Sequence, residues 1–203
     1  MRVVGLCGGS GSGKGVVSAF FKKLGFAHID ADAVYRELTS CPSECLDALA
    51  TEFGSNILAS DGSLDRRKLA KVVFFGACSA KYRERLNEIS HKFVLAEIRN
   101  RIERFSSLSF IGAIVDAPLL FESGFDAECD AVVCVTAPKE MRIERIISRD
   151  GLSREEAIGR IDSQISDDQL RELSDYEIVN CGSLDELEKE VVHVAEDILN
   201  YER

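Results

Sequence analysis

The segment GGSGSGKGVV at residues 8–17 constrains the fold of this chain more than any other part of the sequence. Gly8, Gly13 and Lys14 follow the spacing G-x-x-x-x-G-K-[ST], in which glycines let successive backbone N–H groups point at a phosphate. An apolar segment typical of a β-strand precedes the loop, and a segment with helical periodicity that ends at Gly25 follows it. The order of strand, glycine loop and helix predicts an α/β protein that binds the phosphates of a nucleotide at a helix N-terminus.

Gly15 departs from this spacing, because its position normally carries the hydroxyl group of a serine or threonine. In such sites the hydroxyl oxygen is a direct ligand of Mg²⁺, whereas the backbone N–H of residue 15 is unaffected by the exchange. We therefore expect ATP to bind, with weaker retention of Mg²⁺. The alternative is a loop that still binds a nucleotide but has lost its activity.

The rest of the chain alternates between β-rich and helical segments, as expected for one α/β domain. The further β-rich segments read FAHID, FIGAIVD, DAVVCVTAP and DYEIVN. Strands that alternate with helices favour a parallel sheet within three layers, and we predict five strands. Residues 33–105 carry a helical pattern, which predicts a helical insertion between the second and third strands.

Composition narrows the possible partners and the compartment. The net charge of −10 argues against nonspecific binding to nucleic acid, and no apolar run approaches the roughly 20 residues that cross a bilayer. The N-terminal MRVVGLCGG is typical of a buried strand and not of a signal peptide. The seven cysteines are odd in number and scattered, so we expect free thiols in a reducing cytoplasm. No membrane partner is expected, and no oligomeric state is predicted.

Three aspartates follow predicted strands, at the edge where open α/β sheets bind their ligands. Asp116 ends the third strand, where it would hold the Mg²⁺ shell directly or through water, or would cap a turn or helix. Asp30 and Asp32 end the second strand. One of them would act as the base for a hydroxyl nucleophile, and the alternative is a pair of helix caps.

Arg142, Arg145 and Arg149 recur at spacings of three and four, so they lie along one side of a helix that follows Pro138. They form either a solvated, salt-bridged face or part of a mobile lid that brings guanidinium groups onto a transferring phosphoryl group. The nearby phosphate loop favours the lid for Arg145 and Arg149. His91, on the longest helical segment, is either a substrate contact or a structural side chain.

Six segments together resemble the dephospho-CoA kinase family. They are GLCGGSGSGKG, HIDAD, DGSLDRRKL, DAPLLFESG, RIISRDGLSREEAIGRIDSQ and DYEIVNCGS, and they extend over almost the whole chain. The resemblance implies a nucleoside-monophosphate-kinase-like core at residues 1–30, 106–142 and 173–203, a helical substrate subdomain at 31–105 and a lid at 143–172. It also implies phosphorylation of the ribose 3′-hydroxyl of dephospho-CoA by ATP with Mg²⁺, which gives coenzyme A and ADP.

The same resemblance implies roles for individual residues. Asp32 would accept the proton of the substrate hydroxyl, and Arg66 and His91 would face the dephospho-CoA pocket. Arg145 and Arg149, with the loop lysine, would act on the phosphates. The implied ATP-binding positions are Gly9, Ser10, Gly11, Ser12, Gly13, Lys14, Gly15, Val16, Asn180 and Gly182.

Two positions depart from the family pattern, namely Gly15 in place of serine and Lys92 in place of the usual proline after His91. The first leaves open a catalytically weak nucleotide-binding or CoA-binding protein of the same fold, and the second argues against the substrate contact that the resemblance implies for His91. Another small-molecule kinase also stays an alternative, because the core determines phosphoryl transfer better than the acceptor. A regulatory GTPase is disfavoured, because the sequence has no Asn-Lys-x-Asp guanine motif.

Overall fold

A computed structural model of the chain describes residues 1–74 and 79–200. The strands are β1 (Arg2–Cys7), β2 (Phe26–Asp30), β3 (Gly112–Asp116), β4 (Ala131–Thr136) and β5 (Tyr176–Val179). They form one sheet with the order β2-β3-β1-β4-β5. β1 pairs in parallel with β3 and β4, and β4 pairs in parallel with β5. The predicted α/β fold with a five-stranded parallel sheet is confirmed.

The central position of β1 determines where its glycine loop lies. In the register of the sheet, Leu6 is opposite Asp116 of β3, and Cys7 is opposite Cys134 of β4. Parallel strands present their carboxyl ends at one edge of the sheet, and ligands of open α/β sheets bind at that edge. The loop that begins at Gly8 therefore starts beside the end of β3.

The helices follow the predicted alternation with the strands. Pro138 is the N-cap of the helix predicted after it, and Ser153 with Glu156 forms a capping box at the start of the next helix. Short 3₁₀ turns occur at Ser55–Ile57 and Phe125–Glu128. The helices in the described ranges are α1 (Lys14–Lys23), α2 (Ala31–Leu38), α3 (Glu44–Phe53), α4 (Arg66–Phe74), α5 (Ser79–Ser106), α6 (Lys139–Asp150), α7 (Arg154–Asp162), α8 (Asp167–Glu172) and α9 (Leu184–Asn200).

The chain divides into two compact units. The first consists of residues 1–29 and 102–203 and contains the sheet. Its main hydrophobic core joins the strands to α1 and α9, because buried apolar residues of both helices and of the strands form one cluster. Phe21 of α1 and Phe26 of β2 meet edge to face within this core, with ring centroids 5.2 Å apart. This packing fixes α1, and hence the loop before it, on the sheet.

The second unit is the uninterrupted stretch of residues 30–101, which consists mainly of helices. Leu49, Ile57 and Val73 are completely buried in its own core. Phe53 and Tyr82 contact each other edge to face at the side of this core, with ring centroids 6.0 Å apart. The unit therefore has a hydrophobic core separate from that of the sheet.

Within residues 1–74 and 79–200, none of the helices combines the length and the apolar composition that a membrane span requires.

Candidate active site

The glycine loop folds into a tight turn that only glycine accommodates easily. Ser12 N–H donates to the carbonyl oxygen of Gly9 at 3.1 Å, and Gly11 lies inside this turn with a φ of 79°. Gly13 follows with a φ of 94°. A β-carbon on Gly13 would lie 1.9 Å from Nδ2 of Asn180. Both the positive φ values and the close approach of Asn180 therefore explain glycine at these positions.

The loop leads directly into the N-terminus of α1, which begins at Lys14. Gly13 is the N-cap, no side chain caps the helix, and its first turn contains no acidic residue. The first N–H groups of a helix have no intrahelical acceptor, and the helix dipole makes this end positive. The arrangement suits an anion that approaches along the axis of α1.

Lys14 forms an ion pair with Asp116 across the carboxyl ends of β1 and β3. Lys14 Nζ donates to Oδ1 of Asp116, and the exposed fractions of the two side chains are only 18% and 15%. Asp116 thus lies at the phosphate loop, as expected from its place at the end of β3. Because both side chains are mostly buried, their opposite charges offset each other at this position.

The donor set around Gly15 fits Mg²⁺ that arrives on a nucleotide. Asp116 offers carboxylate oxygens, and a β-carbon on Gly15 would meet no atom within 4 Å, which leaves room for water there. Ser18 is buried, and its hydroxyl donates to the Gly15 carbonyl at 3.1 Å. Among the described residues no three His, Cys, Asp or Glu side chains form a metal-binding group. Mg²⁺ commonly binds through one or two carboxylates, phosphates and several waters, and this site can provide that combination.

Arg142 of α6 lies beneath the loop with an exposed fraction of 3%. Its Nε donates to the Ser10 carbonyl at 2.9 Å, and its Nη1 donates to Oδ1 of Asp167 at 2.7 Å. Ser10 N–H donates in turn to Oε1 of Gln164 at 2.8 Å. Residues of α6 and of the segment from α7 to α8 therefore hold both sides of Ser10.

Arg145 and Asn180 hold the next part of the loop. Arg145 Nη1 donates to the Gly11 carbonyl at 3.2 Å, and its Nη2 donates to the Asn180 carbonyl at 3.2 Å. Asn180 is buried just after β5, and its Nδ2 donates to the Ser12 carbonyl at 2.8 Å. Gly182 lies two residues further, where a β-carbon would be 2.4 Å from Oε2 of Glu186. The family resemblance implies that Asn180 and Gly182 lie at ATP, and in the structure Asn180 contacts the loop directly.

Arg149 differs from the other two arginines of α6. It lies in the last turn of the helix with 60% of its side chain exposed, and both Nε and Nη2 donate to Asp150 at 2.8 Å. The hydrogen bond from Arg149 lowers the pKa of the Asp150 carboxyl group. Arg160 donates to the same carboxylate at 2.8 Å. The solvated, salt-bridged alternative therefore describes Arg149 in this structure, while Arg142 and Arg145 lie against the loop.

Asp30 and Asp32 have different surroundings in the second unit. Asp30 caps α2, because its Oδ1 accepts a hydrogen bond from Ala33 N–H at 2.9 Å. Its Oδ2 also accepts from Arg36 Nη2 at 3.4 Å. Asp32 is exposed in the first turn of α2. The capping alternative is thus correct for Asp30, and Asp32 is the better candidate for the base.

Arg66 and His91 also belong to the second unit. Arg66 is exposed at the first position of α4. Burial raises the pKa of the nearby Tyr35, and the positive charge of Arg66 acts in the opposite direction. Asp65 caps α4 through the N–H groups of the next turn, and the hydrogen bond from Lys68 N–H lowers the pKa of its carboxyl group. His91 is half-buried on α5. Arg66 is therefore accessible to an anionic ligand of this unit.

The cysteine closest to the loop in sequence is not a nucleophile at neutral pH. Burial raises the pKa of Cys7 to about 12 and that of Cys129 to about 12. Cys41 and Cys181 are exposed, and the six cysteines within the described residues are all free thiols, whereas Cys78 lies outside them. A reaction that needs a thiolate near the loop is therefore disfavoured.

We expect iodoacetamide at pH 8 to modify Cys41 and Cys181 in the folded protein and to leave Cys7 and Cys129 unmodified. The raised pKa keeps the latter two protonated well above pH 8, and burial blocks the reagent. Peptide mass spectrometry before and after unfolding in urea would measure this. Rapid modification of Cys7 in the folded chain would contradict the burial described here.

Sequence analysis missed the contacts of Arg142, Gln164 and Asp167. The helical spacing groups Arg142 with Arg145 and Arg149 but does not indicate its contact with the loop, and no motif indicates a role for Gln164 or Asp167. One signal was present, because Arg142 lies four residues before Ile146 and directly before Ile143, both buried. An arginine on the apolar face of a helix is a sign of a buried polar contact. Nothing in the sequence pointed to Gln164.

The chain matches the family model described as dephospho-CoA kinase over residues 2–186. It is 36% identical over 197 residues to a dephospho-CoA kinase of Carboxydothermus hydrogenoformans, with 96% of this chain and 93% of the relative covered. It is 39% identical over 189 residues to a dephospho-CoA kinase of Corynebacterium diphtheriae, with 93% of each covered.

Solved structures give a consistent picture. The protein TT1252 from Thermus thermophilus superimposes with a TM-score of 0.74 and 32% identity, with 97% of each chain covered. The dephospho-CoA kinase from Campylobacter jejuni superimposes with a TM-score of 0.71 and 27% identity, with 98% of each chain covered. A shikimate kinase from Acinetobacter baumannii shares the fold at a TM-score of 0.55 and 16% identity, with 97% of this chain and 94% of that chain covered.

Proposed function

This chain belongs to the dephospho-CoA kinase family, and from that membership we infer that it transfers a phosphoryl group from ATP to dephospho-CoA, in the synthesis of coenzyme A. The observation that carries this inference is the phosphate loop at the start of α1, with Lys14 and Asp116 side by side at its mouth. Backbone N–H groups, a lysine and a strand-end aspartate are the parts that phosphoryl transfer from a nucleoside triphosphate requires.

We propose that the acceptor is the ribose 3′-hydroxyl and that Asp32 is the base. The hydroxyl oxygen forms a bond to the γ-phosphorus, the bond from that phosphorus to the bridging oxygen of ADP breaks, and the hydroxyl proton passes to the Asp32 carboxylate. Support comes from the exposure of Asp32 and from the commitment of Asp30 to capping α2. Arg66 and His91 are proposed to bind dephospho-CoA, with Arg66 offering an exposed cation to its phosphates.

We propose that Lys14 exchanges Asp116 for a phosphate oxygen when ATP binds. The backbone N–H groups of the loop and of the first turn of α1 would bind the remaining phosphate oxygens. Arg145 and Arg149 are proposed to offset the charge of the transferred group, and Arg149 would first have to leave Asp150. Mg²⁺ would be held by Asp116, directly or through water, and would neutralise phosphate charge.

We further propose a reducing cytoplasmic location and no nucleic-acid partner. The six free thiols within the described residues and the odd total of seven cysteines support the first point. The net charge of −10 supports the second, because a nucleic acid would be repelled over most of the surface.

Release of ADP in a coupled assay tests the proposed activity directly. The purified chain would be given ATP and Mg²⁺ with dephospho-CoA, adenosine or shikimate as the acceptor. Of the three acceptors, we expect only dephospho-CoA to give rapid ADP release. Mass spectrometry of the product should locate the new phosphate on the ribose 3′-oxygen. Equal rates with another acceptor would favour a different small-molecule kinase of the same fold.

Gly15 supports a second candidate function, which is nucleotide binding with little turnover. We expect Gly15→Ser to lower the Mg²⁺ concentration needed for half-maximal binding of a fluorescent ADP analogue by about five- to tenfold, because one hydroxyl ligand contributes about 1 kcal/mol. The new side chain has room, since a β-carbon there meets no atom within 4 Å. Fluorescence titration at varied Mg²⁺ measures this shift without any need for turnover.

Gly15→Ala is the matched control, because it adds the β-carbon and the helix propensity of a side chain but no oxygen. An equal shift with alanine would show that the hydroxyl does not act through the metal. If Gly15→Ser raised turnover from almost none to a normal rate, the natural chain would be better described as a binding protein.

A further inference from the structure

Three consecutive carbonyl groups of the phosphate loop accept hydrogen bonds from side chains. The Ser10 carbonyl accepts from Arg142 Nε at 2.9 Å, and the Ser12 carbonyl accepts from Asn180 Nδ2 at 2.8 Å. The carbonyl between them, that of residue 11, accepts from Arg145 Nη1 at 3.2 Å. Arg142 and Asn180 are buried, with exposed fractions of 3% and 7%, so these carbonyls point toward the protein interior.

The inward carbonyls determine the direction of the N–H groups that follow them. A trans peptide unit is planar, and its C=O and N–H bonds point in opposite directions. No cis peptide bond occurs in the described part of the chain. The inward Ser10 carbonyl therefore turns Gly11 N–H outward, and the inward Ser12 carbonyl turns Gly13 N–H outward. The peptide unit between them is used differently, because Ser12 N–H closes the turn onto the Gly9 carbonyl at 3.1 Å.

In the turn from Gly9 to Ser12, the peptide unit between Ser10 and Gly11 can take one of two opposite orientations. Gly11, the third residue of the turn, has a φ of 79°, which matches a type II turn. In a type I turn the central peptide unit is rotated by about 180° relative to type II. A donor beneath the Ser10 carbonyl favours type II, and Arg142 is that donor.

Arg142 is itself held in a fixed place. Its Nη1 donates to Oδ1 of Asp167 at 2.7 Å, and its Nη2 is buried with no hydrogen-bond partner within residues 1–74 and 79–200. A β-carbon on Gly9 would lie 2.1 Å from this Nη2, so the guanidinium group fills the space directly under Gly9. A buried N–H group without a partner is unfavourable, and here it accompanies the close approach to the loop.

We propose that Arg142 is a positioning residue of the phosphate loop, which holds the Ser10 carbonyl inward and so directs the Gly11 N–H at the phosphates of ATP. Asn180 acts in the same way on the Gly13 N–H. Arg142 does not need to touch the nucleotide for this role. The proposal rests on the proposed function, because it assumes that the outward N–H groups bind ATP.

Two substitutions test the proposal from opposite sides of the same contact. Arg142→Met removes the donor, whereas Gly9→Ala keeps the Arg142 and Asp167 side chains but displaces the guanidinium group from the loop. Each is expected to weaken ATP binding about tenfold and to leave adenosine binding, measured by competition, unchanged within about twofold. ATP has phosphates that bind the loop, and adenosine has none. The relevant measurement is therefore the ratio of the affinity for ATP to the affinity for adenosine.

The double variant provides the second readout. If both substitutions act through the guanidinium group, Arg142→Met with Gly9→Ala should bind ATP no more weakly than the worse single variant. Additive losses would show that the new methyl group on residue 9 disturbs ATP directly, and they would overturn the shared contact. Arg154→Met is the control, because it removes an exposed arginine that pairs with Glu140.

Other outcomes also decide the matter. Equal weakening of ATP and adenosine would show a general loss of structure and would overturn the positioning role, as would unchanged ATP affinity. If Arg142→Met does not fold, Arg142→Lys keeps the charge next to Asp167 but not the planar fork of donors, and it should show a smaller loss of the same kind. Failure of the natural chain to bind ATP would instead overturn the proposed function.

Discussion

Replacement of Lys14 by methionine is expected to lower kcat for ADP release by at least about 100-fold, with dephospho-CoA and ATP at saturating concentrations. Lys14 begins α1 and lies beside the loop, where its ammonium group can stabilise the negative charge that develops on the phosphoryl group during transfer. Methionine has a similar length and no charge. Backbone N–H groups of the loop persist in the variant, so ATP binding should weaken less than turnover does.

Lys23→Met is the matched control for this experiment. Lys23 ends the same helix, is 65% exposed and pairs with Glu188 at the surface. Its replacement should leave kcat within about twofold, because an exposed pair of this kind contributes little. A Lys14→Met variant that keeps more than about a third of the natural kcat would exclude the proposed role of Lys14.

Asp32→Asn is expected to lower kcat by about 100-fold or more, because general base catalysis typically contributes that much. Asparagine preserves the size of the side chain and its ability to begin a helix, but it cannot accept the hydroxyl proton. The KM for ATP should change little, since the substitution removes a proton acceptor and no phosphate ligand. Steady-state ADP release at varied ATP separates the two parameters.

Asp30→Asn provides the control for Asp32→Asn, because the two residues share a sequence motif and differ in their contacts. Asparagine caps a helix about as well as aspartate, so the bond from Ala33 N–H should persist and the melting temperature should stay almost unchanged. Activity should also persist. A large loss with Asp30→Asn and a small one with Asp32→Asn would exchange the proposed roles of the two aspartates.

Local sequence patterns predicted the parts of this structure that depend on local chemistry. The glycine loop, the start of α1 and the capping box at Ser153 each follow from residues within a few positions of one another. The place of Asp116 at the end of β3 followed from the apolar run before it. Its ion pair with Lys14 was not predicted, because it depends on which strands are neighbours in the sheet.

Long-range contacts explain what the sequence left unresolved. The order of the five strands brings β3 next to β1, and alternation of helices and strands does not specify this order. The contact of Arg142 with Ser10 joins residues 132 positions apart. For Asp30 and Asp32 the capping and catalytic alternatives use the same residue types, so the sequence did not distinguish them, whereas the structure shows Asp30 accepting a hydrogen bond from Ala33 N–H.

The ion pair between Lys14 and Asp116 has a thermodynamic consequence for the order of binding. A phosphate that takes Lys14 as its counter-charge leaves an unbalanced carboxylate in a poorly hydrated place, and this excess negative charge attracts a cation. Affinity for the anion and affinity for the cation are then linked, and linkage is reciprocal. With the roles proposed for Lys14 and Asp116, the pair would therefore favour joint binding of nucleotide and metal over binding of either one alone.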